Sequence, residues 1–293
     1  MANALSDRIN AAALAYMQPD GVPAFDFTTP AGEPALAGAD SVSWRVFSNP
    51  VALFIGGVTA VLLELAEPRV RSGVWDHTSF RTDPLPRMKR TGMAAMVTVY
   101  GARSRAEAMI AGIGRMHGRV SGVTPDGQPY RADDPELLDW VQATASYGFM
   151  EAYHRFVRTL TDDERDAFYA EAAPAARLYG ATGAPTSVAT QEACFEAMRP
   201  RLERSEIVTE FLDIMRRTPI LPGPLRATQG LFIRAAIELL PAWVREILGL
   251  DARQGLKPWE GRLVRAAGAL AERMPLAGGP REQARTRLGL SAA

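Results

Sequence analysis

Three Asx-Pro pairs, Asn49-Pro50, Asp83-Pro84 and Asp134-Pro135, punctuate the first half of this chain. A short polar side chain at a helix N-cap accepts a backbone N–H of the first turn. Proline at the next position supplies a helical φ where no donor is needed. Each pair therefore predicts a helix start. The first opens an apolar run over residues 51–66, and the second a segment to about Tyr100 that Gly101 would terminate. The third opens a long helix through Trp140 and Tyr147 to about Arg158. Two capping boxes add to the series. Ser104-Arg105-Ala106-Glu107 predicts a helix to about Ser121 with Gly122 as its stop. Thr161-Asp162-Asp163-Glu164 predicts one ending near Gly180 and bent at Pro174. Apolar residues at three-to-four spacing extend the pattern over residues 187–198, 205–216, 228–248 and 258–274, the third interrupted by Pro241. No Asn-Gly hairpin flanked by alternating residues occurs, and the loop 123–133, with Asp126-Gly127, forms at most a small turn. The expectation is an all-α, multi-helix globular bundle.

A length of 293 residues predicts one large or two small domains. Residues 1–45 are expected to be an extended lead-in with an N-terminal helix, 46–216 a helical core, and 217–293 C-terminal helices packed on that core. With Lys+Arg and Asp+Glu both at 33, the charge balance lacks the basic excess that nucleic-acid binding demands. Cys194 is the sole cysteine, so no internal disulfide and no cysteine-based metal site can form. The first 17 residues lack a cationic start followed by an apolar run. The apolar run at 51–66 carries Glu64 and falls short of the ~20 residues a spanning helix needs. A cytoplasmic protein without stable membrane insertion is expected.

Histidines are few: His77, His117 and His154. Ile110, Ile113 and Val120 put His117 on the apolar face of its predicted helix. Gly112, Gly114 and Gly118 surround it, and each interior helical glycine costs about 1 kcal/mol relative to alanine. Gly114, one turn back on the same face, leaves room for a flat macrocycle or for another helix. On these residues alone, a core histidine with a satisfied ring is the commoner outcome. Arg87, Arg90 and Thr91 share one face of the 84–100 segment. Converging guanidinium groups suit a carboxylate partner, although a solvated or salt-bridged face has the same pattern. Met93, Met96 and Val97 lie on the other faces. His77, beside Asp76, is expected to be a structural hydrogen bonder, and His154 a surface residue. Dinucleotide and phosphate loops, His-Glu-x-x-His and a nucleophile elbow are all missing. Glu151-Ala152-Tyr153-His154 is a single Glu-x-x-His, where a di-iron bundle needs two.

Five ordered stretches together resemble the MpaB and latex-clearing-protein oxygenase family. They are the run 67–87 (containing Trp75-Asp76-His77-Thr78-Ser79-Phe80), Arg87-Met88-Lys89-Arg90-Thr91 with Val99-Tyr100-Gly101, Met116-His117-Gly118-Arg119-Val120-Ser121-Gly122, Tyr130-Arg131-Ala132-Asp133-Asp134-Pro135, and Leu138-Asp139-Trp140-Val141. The similarity spans roughly residues 55–200. It implies a globin-like helical core enclosing haem b, with His117 as the proximal iron ligand and Arg87 and Thr91 at the haem; the room beside Gly114 makes that glycine a further candidate for haem contact. It also implies oxidative cleavage of isoprenoid double bonds with dioxygen. Three positions depart from the pattern. Glu67-Pro68 stands where members often have His-Pro, and Trp140-Val141-Gln142 where they have Trp-Val-His. Arg90 stands where the rubber-cleaving branch has lysine, and arginine cannot shed its proton to bind iron. Rubber cleavage is therefore not expected. The implied activity is that of a haem b oxygenase or peroxygenase acting on a hydrophobic, isoprenoid-type small molecule with dioxygen or peroxide. Arg87, Arg90 and Thr91 are its candidate catalytic residues. The alternative is a non-enzymatic helical protein carrying a lipid or other apolar ligand without haem. Either is compatible with a homodimer.

Overall fold

Asn49 shows how the predicted punctuation works in the computed structural model, which describes residues 24–221, 223–274 and 276–291. Its Oδ1 accepts the N–H groups of Val51 and Ala52 at 3.1 Å, starting α2 (Pro50–Glu64) after a short α1 (Val42–Val46). Asp134 caps α6 (Pro135–Phe156) by accepting Glu136 N at 2.9 Å. Thr161 and Glu164 close a reciprocal capping box on α7 (Asp162–Tyr179), which runs through Pro174 and stops at Gly180 with φ 94°. Between these lie α3 (Pro68–His77), α4 (Pro84–Tyr100) and α5 (Arg103–His117). After them come α8 (Val188–Met198), α9 (Glu206–Arg217), α10 (Gln229–Leu239), α11 (Ala242–Leu248), α12 (Glu260–Arg273) and α13 (Pro280–Arg287). The only strands among the described residues are β1 (Ser121–Val123) and β2 (Pro129–Arg131), an antiparallel pair with Ser121 opposite Arg131. The fold is all-α. The helix expected at the start of the lead-in lies outside the described residues.

Two local expectations are corrected. Ser104 does not cap its helix: the chain re-enters helix at Ala102, so Ser104 already sits in the first turn. A carboxylate from the lead-in serves instead, Glu33 accepting Ser104 N at 2.5 Å and Ser104 Oγ at 2.9 Å. That helix ends at His117 rather than near Ser121, because Ser121 is taken into the hairpin. The segment at 228–248 is two helices, α10 and α11, divided at Pro241. Glu67, in place of the family's histidine, is the buried N-cap of α3, accepting Val70 N at 2.8 Å and Arg69 Nε at 2.7 Å.

The core is built on α2 and α6, which cross antiparallel at Gly56 and Gly148. A methyl group on Gly56 would lie 2.7 Å from the Gly148 carbonyl oxygen, so this approach needs glycine. Thr59 of α2 donates to Ala236 O at 3.1 Å, and Tyr147 of α6 to Leu239 O at 2.8 Å, which fastens α10 to the pair. Gly268 of α12 rests on the Phe156 carbonyl at the end of α6. Trp44, Trp140, Tyr100, Tyr153 and Tyr169 are fully buried around this frame. Arg287 of α13 donates to Phe27 O and Glu33 O, both at 2.8 Å, and so ties down the lead-in. No single helix among the described residues is long and apolar enough to cross a membrane. The pair α2–α3 would qualify together, but it is bent by 111° and most of α2 is core.

Candidate active site

The tight turn between α4 and α5 determines which side chains meet. At Gly101 a Cβ would sit 2.5 Å from Val97 O, so glycine permits the chain to reverse within two residues. Arg87 lies fourteen residues before Gly101, and His117 fourteen after Arg103. At 1.5 Å rise per residue both are about 21 Å from the turn, and the reversal brings them to the same level. The charge of Arg87 is felt at His117 accordingly.

His117, the last residue of α5, is half-buried. Its Nδ1 is buried without a hydrogen-bond partner. Burial holds the imidazole below its usual pKa, Arg87 adds to that effect, and Asp133 opposes it. The ring is therefore neutral at pH 7 and has a lone pair to offer. Asp133 does not take the orphan nitrogen; Arg131 grips its carboxylate at 2.9 and 2.8 Å.

Arg87 donates to Thr91 Oγ1, and Thr91 Oγ1 donates back to Arg87 O at 3.0 Å. Burial lowers the guanidinium pKa, Glu64 raises it and Arg90 lowers it further. Among the described residues no carboxylate forms a salt bridge with Arg87. Glu64, the last residue of α2, is set deep among protein atoms while part of its surface stays accessible. Burial pushes its carboxyl up to about 7, against the Arg87 charge and the neighbouring Thr144 hydroxyl. Glu64 and Thr144 escaped the sequence reading as site residues. The available signal was a lone carboxylate in an otherwise apolar helix, whereas Thr144 becomes its neighbour only through the α2–α6 crossing.

The remaining candidates fall into place around this group. Gly114 is exposed, and a Cβ there would meet nothing within 4 Å. Of the two uses expected for it, close helix packing is not realised; the face is open. Arg90 is exposed, near enough to act on Arg87, and donates to Ser79 Oγ at 3.4 Å. Met96 and Val97 are buried in the core and Met93 half-buried. His77 pairs with Tyr130 OH at 3.1 Å, a structural hydrogen bond as expected. His154, expected at the surface, is half-buried and accepts Leu160 N–H at Nδ1 (3.0 Å), closing the turn after α6. Gln142, in place of a family histidine, donates to Ser146 Oγ at 3.1 Å. A surface recess of about 490 Å³, lined by Glu67, Arg69, Gln128, Arg201 and Glu203 among others, does not reach His117.

A neutral histidine, a half-buried arginine and a protonatable carboxyl thus stand at the ends of three helices of an all-α protein. The chain belongs to the family described as the ER-bound oxygenase mpaB/B'/rubber oxygenase catalytic domain, which matches residues 44–273, from α1 to the end of α12. It is thus an oxygenase, an oxidoreductase. No curated protein and no solved structure matches it significantly.

Proposed function

We propose that the protein is a haem b-dependent oxygenase of hydrophobic, isoprenoid-type small molecules, with His117 as the iron ligand. The observation that carries this reading is the neutral imidazole of His117, whose buried Nδ1 has no protein partner. An unsatisfied buried polar atom costs about 1–3 kcal/mol and calls for an explanation. Three further features fit the group. No cluster of three or more His, Cys, Asp or Glu exists among the described residues to chelate a bare ion, so a single histidine suits iron whose other ligands come from a macrocycle. Gly114 leaves the helix face one turn before His117 open. Arg87 forms no salt bridge among the described residues and would take a propionate bidentately, with Thr91 fixing its orientation.

Haem supplies the iron at which dioxygen or peroxide is activated. The chain's own residues do the positioning. Arg87 holds charge at the pocket, and Arg90 adds to the positive field. Glu64, largely protonated below pH 7, holds a proton beside Arg87. The isoprenoid class rests on a family whose description includes a rubber oxygenase. Arg90 argues against rubber itself, since a guanidinium cannot become an iron ligand. The test is an absorption spectrum after haem reconstitution of wild type and His117→Ala, both checked for helicity by circular dichroism. A Soret band in wild type that the variant lacks is expected. A wild type with no Soret band overturns the proposal.

A further inference from the structure

Helix α12 does two unlike things. Its inner face, Glu260, Val264 and Gly268, is buried against the core. Its outer side carries Trp259, Leu263, Leu270 and Met274, which are 56%, 49%, 58% and 52% exposed. At 100° per residue these four positions fall within about 60° of one another, a single stripe along the helix. Four of the nine large hydrophobics exposed among the described residues thus lie on one line. Scattered exposed apolar residues need no explanation, but a contiguous stripe does.

The charge beside the stripe is one-sided. Arg262 and Arg273 border it and Arg265 follows on the next face, all three exposed. None of them forms a salt bridge among the described residues. The two acids of the helix are committed to the body of the protein: Glu260 to Arg234 at 2.6 Å, and Glu272 to Tyr153 OH at 2.7 Å and Asn49 Nδ2 at 3.0 Å. For a chain of zero formal net charge, this face is a local concentration of arginine.

We propose that the outward face of α12 docks on an anionic lipid bilayer, lying in the plane of the interface. Trp259 has the amphipathic ring suited to headgroup depth, and Leu263, Leu270 and Met274 would enter the acyl boundary. The arginine stems reach outward from beside the stripe, so the guanidinium groups meet lipid phosphates and carboxylates while the apolar residues leave water. The same charges disfavour a second copy as occupant, because pairing two such faces brings arginines together without acidic partners.

Vesicle co-sedimentation of the full chain decides the matter, using phosphatidylcholine with and without phosphatidylserine. Wild type is expected to pellet with the anionic vesicles and to stay in the supernatant with the neutral ones. The double variants Leu263→Asp/Leu270→Asp and Arg262→Glu/Arg273→Glu should each lose partitioning by about tenfold or more. All four residues are exposed, so the variants keep the wild-type melt, and that melt is the folding control. A wild type that ignores anionic vesicles overturns the proposal, as does a leucine variant that binds like wild type. A wild-type dimer that the leucine variant converts to monomer also overturns it, by assigning the face to a second copy.

Discussion

Glu64 is the only charged residue in α2, and its protonation governs how Arg87 is seen by anything that enters the site. Its carboxyl is raised from 4.5 to about 7, chiefly by burial. The folded state therefore binds a proton that the unfolded chain has already released. The resulting stability is fully present below about 4.5 and is lost as pH rises through about 7. At 1.36 kcal/mol per pH unit, the swing is at most about 3 kcal/mol. Glu64→Gln should remove it: urea melts at pH 5 and pH 8 are expected to show wild type weakening with pH and the variant changing much less. Equal pH slopes for the two proteins would contradict the placement of this carboxyl. Gly114 allows a second test at this scale. Leucine has better helix propensity than glycine by about 1 kcal/mol, and the space above Gly114 is open. Gly114→Leu should hold or raise the melting temperature while preventing haem uptake, two readouts that move in opposite directions. Normal haem uptake by a stable Gly114→Leu protein would show that the macrocycle does not lie there.

Elements bring these residues together, and the α2–α6 crossing is where substitution should cost most. A Cβ on Gly148 would run into the Gly56 carbonyl oxygen, which is backbone and cannot rotate away. Gly148→Ala is expected to destabilise the protein by about 2–3 kcal/mol, as overpacking does. It should also displace Thr144 one turn away, so that the pH dependence assigned to Glu64 changes with it. Gly57→Ala is the control, since its nearest foreign atom is a Phe149 ring carbon at 3.8 Å. The same contrast explains what could be read in advance. Asn49, Asp134 and Thr161 cap helices through hydrogen bonds two or three residues away, which a local pattern contains. Ser104 had an equally good local pattern, yet Glu33 took its role from 71 residues away. His117 was legible as an apolar-face residue, but its place at the very end of α5 depends on Ser121 pairing with Arg131. Glu64 and Thr144 are 80 residues apart in sequence and meet only because two glycines let their helices touch. Glu67 is the converse case: a departure from the family's histidine that the structure uses as a helix cap.

For the molecule as a whole, a cofactor that binds only the folded state must stabilise it, by an amount set by concentration and affinity alone. With haem at a hundredfold excess over its dissociation constant, the gain is about 2.7 kcal/mol, or roughly 4–5 °C in melting temperature for a chain of this size. His117 makes the prediction specific. In the apo protein its Nδ1 is buried and unsatisfied, so His117→Ala removes a polar burial penalty along with some packing and should leave the apo melt within about 1 kcal/mol of wild type. The haem-dependent rise should then be large in wild type and close to zero in the variant. Two other patterns are distinguishable. An equal rise in both proteins would mean that haem binds somewhere other than His117. An apo variant weakened by more than about 2 kcal/mol would mean that the imidazole is a packed core residue with a partner after all. Melts of the two proteins, with and without haem, separate a ligand-binding histidine from a structural one without relying on turnover.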